Sequence, residues 1–127
     1  MLALLAPGQG AQTPGFLTPW LVDATSSALV ENWSNLIDLD LVELGTTADA
    51  DEIRETSHAQ PLLVAAGLIS AMQTFGGQNI TFDYFAGHSV GEITAASLAQ
   101  SFDGDSALTL VNARGRAMSA AATGSKT

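Results

Sequence analysis

One serine and one arginine in this chain stand where their types and spacing suit chemistry. Ser89 lies in Gly87-His88-Ser89-Val90-Gly91, behind an aromatic, apolar run from Phe82 to Ala86. Glu92 follows and leads into an alanine-rich stretch of helical character. A G-x-S-x-G motif carries meaning when a strand enters it and a helix leaves it, because the serine then sits on a sharp turn. Glycines two residues to either side suit such a turn, since a Cβ there would clash. The strain holds Oγ clear of the sheet, and the new helix aims its free N–H groups at whatever the oxygen attacks. That describes a nucleophile. An ordinary tight turn between strand and helix uses the same letters, and both readings stand at this point.

Arg114 is the second. Between Ala107 and Ala122 the residues Ala107, Leu110, Val111, Ala117, Met118 and Ala121 recur at helical spacing, and Arg114 falls inside their stripe. Arg116 falls on the other face with Thr109, Asn112 and Ser119. Residues two apart do not share a helix face, so the two arginines have different jobs. A guanidinium on an apolar face needs a partner, because burying an uncompensated charge is costly. Its planar fork suits a carboxylate held bidentately. That partner is either internal, with Glu92 and the aspartates as candidates, or a substrate carboxylate or phosphate. Gly115 beside it lets another group approach the backbone closely, which leans towards a ligand.

Three further positions are candidates. Gly8-Gln9-Gly10-Ala11-Gln12 is a glycine-rich loop, read either as a plain connection needing positive φ or as backbone that approaches a ligand. His58 and Gln60 lie just before a long apolar helix. The default for His58 is a partly exposed loop or first-turn histidine. Gln60 leads into a buried helix, so it either satisfies a backbone group or lines a cavity.

The elements that must position these residues follow from periodicity. Leu2–Ala6 and Phe82–Ala86 are short apolar runs without alternation, which predicts strands of a parallel sheet covered on both faces. Thr18-Pro19 reads as an N-cap and first helical position, opening a helix from Trp20 that runs, with a break, to Ile37. Asp38–Gly45 reads as a connector stopped by Gly45, and Asp49 or Asp51 caps a brief helix over 52–56. Pro61 opens the apolar helix 62–75, which Gly76-Gly77 ends; being apolar all round, it should be central and buried. A helix over 90–100 follows Ser89, and the turn 103–106 caps a last helix over 107–122. Two strands under about five helices make a thin sheet.

Composition narrows the classes. The chain has 127 residues, 46% hydrophobic and 13% charged, as expected for one α/β domain with a real core. Its net charge is −9 with four basic residues, which speaks against nucleic-acid and polybasic membrane partners. There is no cysteine, so thiolate metal sites, disulfides and thiol nucleophiles are excluded. No signal-like segment is visible, and the apolar stretch 62–72 is far short of the about 20 residues a membrane span needs. The expectation is a soluble, cytoplasmic protein without a metal.

Four stretches in this order, Pro7-Gly8-Gln9-Gly10-Ala11-Gln12, Gln60-Pro61, Gly87–Glu92 (GHSVGE) and Arg114-Gly115, resemble malonyl-CoA:acyl carrier protein transacylases. The acyltransferase domains of fatty acid and polyketide synthases are similar. The resemblance covers essentially the whole chain and under half of a typical family member. It implies a fold, namely the amino-terminal part of an α/β-hydrolase-like large subdomain spanning 1–127, with parallel strands flanked by helices and the ferredoxin-like subdomain absent. It implies Ser89 as nucleophile, the backbone N–H groups of Gln9 and Val90 as oxyanion hole, and Arg114 as carboxylate clamp, with Gln60 and His88 lining the pocket. The substrate implied is a coenzyme A thioester, malonyl-CoA, and the acceptor is the phosphopantetheine thiol of acyl carrier protein, in fatty acid biosynthesis. The enzyme itself binds no cofactor. The family's general-base histidine lies far downstream, and neither His58 nor His88 matches it, so these residues alone are expected to turn over little. Acyl carrier proteins are acidic, as is this chain, so docking must use either a local basic patch such as Arg116 and Lys126 or the downstream half of the family's polypeptide. Two alternatives remain beside this reading: a serine esterase or thioesterase of α/β-hydrolase type, and a non-catalytic carrier-protein interaction module.

Overall fold

The computed structural model describes residues 1–124. Two strands, β1 (Ala3–Ala6) and β2 (Tyr84–Gly87), pair in parallel with Ala3 opposite Tyr84 and Ala6 opposite Gly87. Asp83 sets this register, its side chain accepting from the Leu2 N–H at 2.8 Å while its own N–H donates to the Leu2 carbonyl at 2.8 Å. Between the strands run a 3₁₀ turn at Trp20–Val22 and the helices α1 (Ala24–Ile37), α2 (Leu41–Thr46), α3 (Ala50–Arg54) and α4 (Thr56–Phe75). After β2 come α5 (Gly91–Leu98) and α6 (Gly104–Gly124). The class is mixed α/β, a two-stranded parallel sheet flanked by helices.

The core forms around α4, as its all-round apolar sequence demands. Leu63, Val64, Leu68 and Ile69 are buried against Val30 and Trp33 of α1 and against Leu108 and Val111 of α6. A second cluster, with Leu17, Leu44, Ile53 and Leu62, closes the other side of the helix. Aspartates start most of the helices: Asp23, Asp40, Asp49 and Asp103 accept from the N–H groups of Ser26, Glu43, Glu52 and Ser106 at 2.8–3.0 Å. Each satisfies a first-turn donor that no carbonyl reaches.

Several boundaries differ from the sequence expectation. The break after Trp20–Val22 falls at Asp23, which turns extended to cap α1. Gly45 does not stop a connector; it lies inside α2, buried, where an added Cβ would collide with Leu17. The 103–106 turn is itself the opening of α6. Most consequential is α4, which starts before Pro61. The Glu55 carbonyl accepts from both His58 and Ala59, at 2.9 and 2.8 Å, so a turn closes ahead of the proline. Pro61 then deprives the helix of a single backbone bond. His58 and Gln60 therefore sit on α4 itself, two residues apart and facing different ways.

The strands depart from expectation in burial. Their apolar residues occupy both faces, yet exposure alternates: Leu4, Ala6 and Phe85 turn towards the helices, while Leu5 is 75% exposed and Tyr84 59%. Among the described residues, helices cover one face of the sheet only. No described helix is long and apolar enough to cross a membrane.

Candidate active site

The turn from β2 into α5 is built on three backbone facts. Ser89 has φ 56°, the left-handed region that a residue with a Cβ rarely adopts. Gly87 lies so close to Gly91 and Glu92 that any Cβ there would overlap their backbone atoms. Gly91 likewise lies against the Ala6 and Pro7 carbonyls, which leaves no room for a side chain. Hydrogen bonds from Gly91 to the His88 carbonyl, 3.0 Å, and from Glu92 to the Ser89 carbonyl, 2.9 Å, lock the bend. No side chain caps α5. The result is an exposed serine hydroxyl at the positive end of a short helix, with Val90 buried directly behind it.

The second loop is folded against the first. A Cβ on Gly8 would lie 2.8 Å from both Cδ2 and the carbonyl oxygen of His88, so this glycine is what lets the loops touch. Gly10 has φ 112° and donates its N–H to the Gln12 side chain at 2.8 Å. The loop is moored to α3 and to the start of α4: Gln12 Nε2 donates to the Ile53 carbonyl at 3.2 Å and Gln9 Nε2 to Thr56 Oγ1 at 3.1 Å. The amide side chain of Gln9 is therefore anchored on Thr56. His88 is exposed, its ring packed on Gly8.

Arg114 completes the arrangement from α6. Its Nη1 donates to Gln60 Oε1 at 2.8 Å and its Nη2 to Ser89 Oγ at 3.2 Å. Gln60 is buried, 1% exposed, and its Nε2 donates in turn to Met118 Sδ at 3.1 Å. Among the described residues the one ion pair at contact distance joins Arg54 to Asp51, so Arg114 pairs with no carboxylate, Glu92 included. The guanidinium is half-buried, directed at the Ser89 hydroxyl and without a carboxylate of the described residues beside it. Such a group accepts an anion with little further reorganisation.

Other expectations fare differently. Gly115 makes room for a neighbouring helix and not for a ligand: its Cα packs against α4, where a Cβ would lie 3.3 Å from the Thr56 carbonyl. The apolar stripe on α6 is also rotated from the one expected, since Leu108 and Gly115 are buried whereas Leu110 and Met118 are exposed. His58 is tied to the Glu52 carbonyl at 2.8 Å and lines a cavity of about 190 Å³ with Arg116 and Asn112, apart from Ser89. Arg116 is exposed there, while Lys126 lies outside the described residues. Met118 was not singled out for chemistry, although its spacing of four from Arg114 places the two on one face. Among the described residues no cluster of His, Asp and Glu is arranged to hold a metal ion.

Comparison with known proteins agrees with this geometry. The chain is 44% identical over 95% of its length to the malonyl CoA-acyl carrier protein transacylase of Mycobacterium tuberculosis. The crystal structure of the transacylase from that organism superposes with a TM-score of 0.86 at 45% identity, over 95% of this chain and 41% of that one. A malonyl-transacylase solved in complex with a type II polyketide-synthase acyl carrier protein matches at 30% identity and a TM-score of 0.79, over 91% of this chain and 38% of that one. The chain thus spans about two-fifths of the length of the relatives it matches. Residues 5–126 match the acyl transferase domain family, and the chain belongs to that family.

Proposed function

We propose that this chain supplies the nucleophile, oxyanion donors and carboxylate clamp of a malonyl-CoA:acyl carrier protein transacylase. Residues 1–127 then form part of its α/β-hydrolase-like large subdomain, working in the cytoplasm on fatty acid synthesis. Ser89 Oγ attacks the thioester carbonyl of malonyl-CoA. The backbone N–H groups of Val90 and Gln9 hold the oxyanion that forms, and the coenzyme A thiolate leaves as the seryl ester closes. The phosphopantetheine thiol of acyl carrier protein then attacks that ester and regenerates the serine. The enzyme needs no cofactor of its own for either half.

The observation that carries this reading is Arg114, a guanidinium beside Ser89 Oγ at 3.2 Å with no carboxylate of the described residues on it. The free carboxylate of malonyl takes the place that Oγ now holds, while Gln60 keeps the other side of the fork and His88 walls the pocket. A neutral ester offers that fork nothing, which favours a diacid thioester over an ordinary esterase substrate. Among the described residues no histidine bonds Ser89 Oγ, so the general base comes from polypeptide other than these residues.

The test is intact-mass analysis after incubation with malonyl-CoA or acetyl-CoA, with and without the carboxy-terminal portion of a transacylase relative added in trans. The expected result is a malonyl adduct at Ser89, faster with the added portion and absent in Ser89→Ala. Arg114→Ala should lose the preference for malonyl over acetyl. An unchanged preference in that variant would remove the clamp from the mechanism.

A further inference from the structure

The geometry points to Met118 as a positioning residue that holds the Gln60 amide, and through it the Arg114 guanidinium, in the orientation that selects a carboxylate. The inference deepens the proposed function and rests on it. Three contacts run in series: Gln60 Nε2 to Met118 Sδ at 3.1 Å, Arg114 Nη1 to Gln60 Oε1 at 2.8 Å, and Arg114 Nη2 to Ser89 Oγ at 3.2 Å.

The donor and acceptor inventory dictates the direction of the series. A guanidinium only donates, so Gln60 must present its carbonyl oxygen to Arg114. That choice aims the amide's two N–H donors the other way. Gln60 is 1% exposed, so water does not meet them freely. A thioether sulfur accepts and never donates, so Met118 suits the NH₂ end of the amide and not its carbonyl end. With an alkane in its place, the buried NH₂ has no acceptor from α6. The amide then gains by rotating towards another acceptor, and rotation takes Oε1 away from Arg114. Arg114 would keep its charge but lose one of the two contacts that fix its plane.

Met118 itself is 42% exposed and one helical turn beyond Arg114, so its replacement disturbs little of the core. Met118→Leu conserves volume and removes the acceptor. Selenomethionine restores an acceptor of the same shape.

The experiment uses the chain with sodium malonate and neutral acetamide as probes, binding measured by calorimetry and the Gln60 side-chain amide followed by NMR. In the unmodified chain the Gln60 amide protons should exchange slowly, and malonate should bind more tightly than acetamide. Met118→Leu should keep its thermal midpoint, speed that exchange, and weaken malonate about tenfold while leaving acetamide unchanged. The selenomethionine chain should behave as the unmodified one. Slow exchange and full malonate affinity in Met118→Leu overturn the inference, as does a loss of affinity that selenomethionine shares. Equal binding of malonate and acetamide by the unmodified chain would instead defeat the transacylase reading, and the Gln60 exchange would still decide what Met118 does.

Discussion

Ser89 carries two conflicting demands, one from the backbone and one from the chemistry. Its φ of 56° is comfortable for glycine and strained for serine, at a cost of roughly 1–2 kcal/mol. The strain persists because Gly87 and Gly91 pack with no space to relax, and because the bend is what exposes Oγ. Ser89→Gly should therefore stabilise the fold by about 1 kcal/mol, seen in urea unfolding, while abolishing acyl uptake. A variant no more stable than the parent would show that the bend is not strained. The bend itself was legible from letters alone, since a strand-to-helix turn this sharp requires glycine at fixed offsets and the sequence provides it. Arg114 was legible for a wrong reason: the stripe that singled it out is not the face α6 buries. What made it informative is the lack of a carboxylate, and pairing across 25 residues is not a periodic property. Gln60 to Met118 was invisible for the same reason, being a contact between helices 58 residues apart.

The pair α4 and α6 is the element-scale device on which the clamp depends. Gly115 lets the helices close on each other next to Arg114, and Glu55 fastens their ends. The Ser119 hydroxyl donates to Glu55 Oε1 at 2.5 Å, five residues along α6 from Arg114. That bond holds the Glu55 carboxyl below its ordinary value of 4.5, against a desolvation that raises it; the Ser57 N–H and the positive influence of His58 add to the lowering. A depressed acid stabilises the fold above its unfolded pKa, and the contribution is lost as pH falls through the folded one. Stability of the chain should therefore decline with acidification below about pH 4.5. Glu55→Gln and Ser119→Ala should flatten that decline, measured as thermal midpoint against pH. Identical slopes in all three proteins would detach Glu55 from it. Pro61 explains why this device escaped the sequence reading. A proline suits the start of a helix, so the residues ahead of it read as the end of a separate brief helix over 52–56 and a loop or first turn carrying His58. Only the doubled acceptance by the Glu55 carbonyl, a local bond with no side-chain signature, carries the helix past it.

At the scale of the molecule, charge is distributed unequally. Much of the acidic surplus is structural, since Asp23, Asp40, Asp49 and Asp103 all work as helix caps. Arg114, facing Ser89, is then a rare cation in a field of net charge −9, which makes it conspicuous to an anion at short range and screened at long range. Exposed large apolar side chains are scattered over the molecule, and two of them, Leu5 and Tyr84, share the outer face of the sheet. The unbroken runs in β1 and β2 correctly announced strands, but they also announced cover on both faces, and helices of the described residues lie on one. The outward side chains, Leu5 and Tyr84, are large, apolar and mostly in water, and each strand has a free edge. Such a face pairs with whatever matches it, including a second copy of itself. The chain on its own should therefore sediment as a concentration-dependent mixture of monomer and larger species. Leu5→Lys puts a charge at a position 75% exposed, where it costs the fold little and opposes both stacking and edge pairing. That variant should sediment as monomer over the same range, with an unchanged thermal midpoint. If it associates as readily as the parent, the contact lies elsewhere, and the acidic-rimmed groove of about 460 Å³ beside Trp33 and Met72 is the next surface to alter.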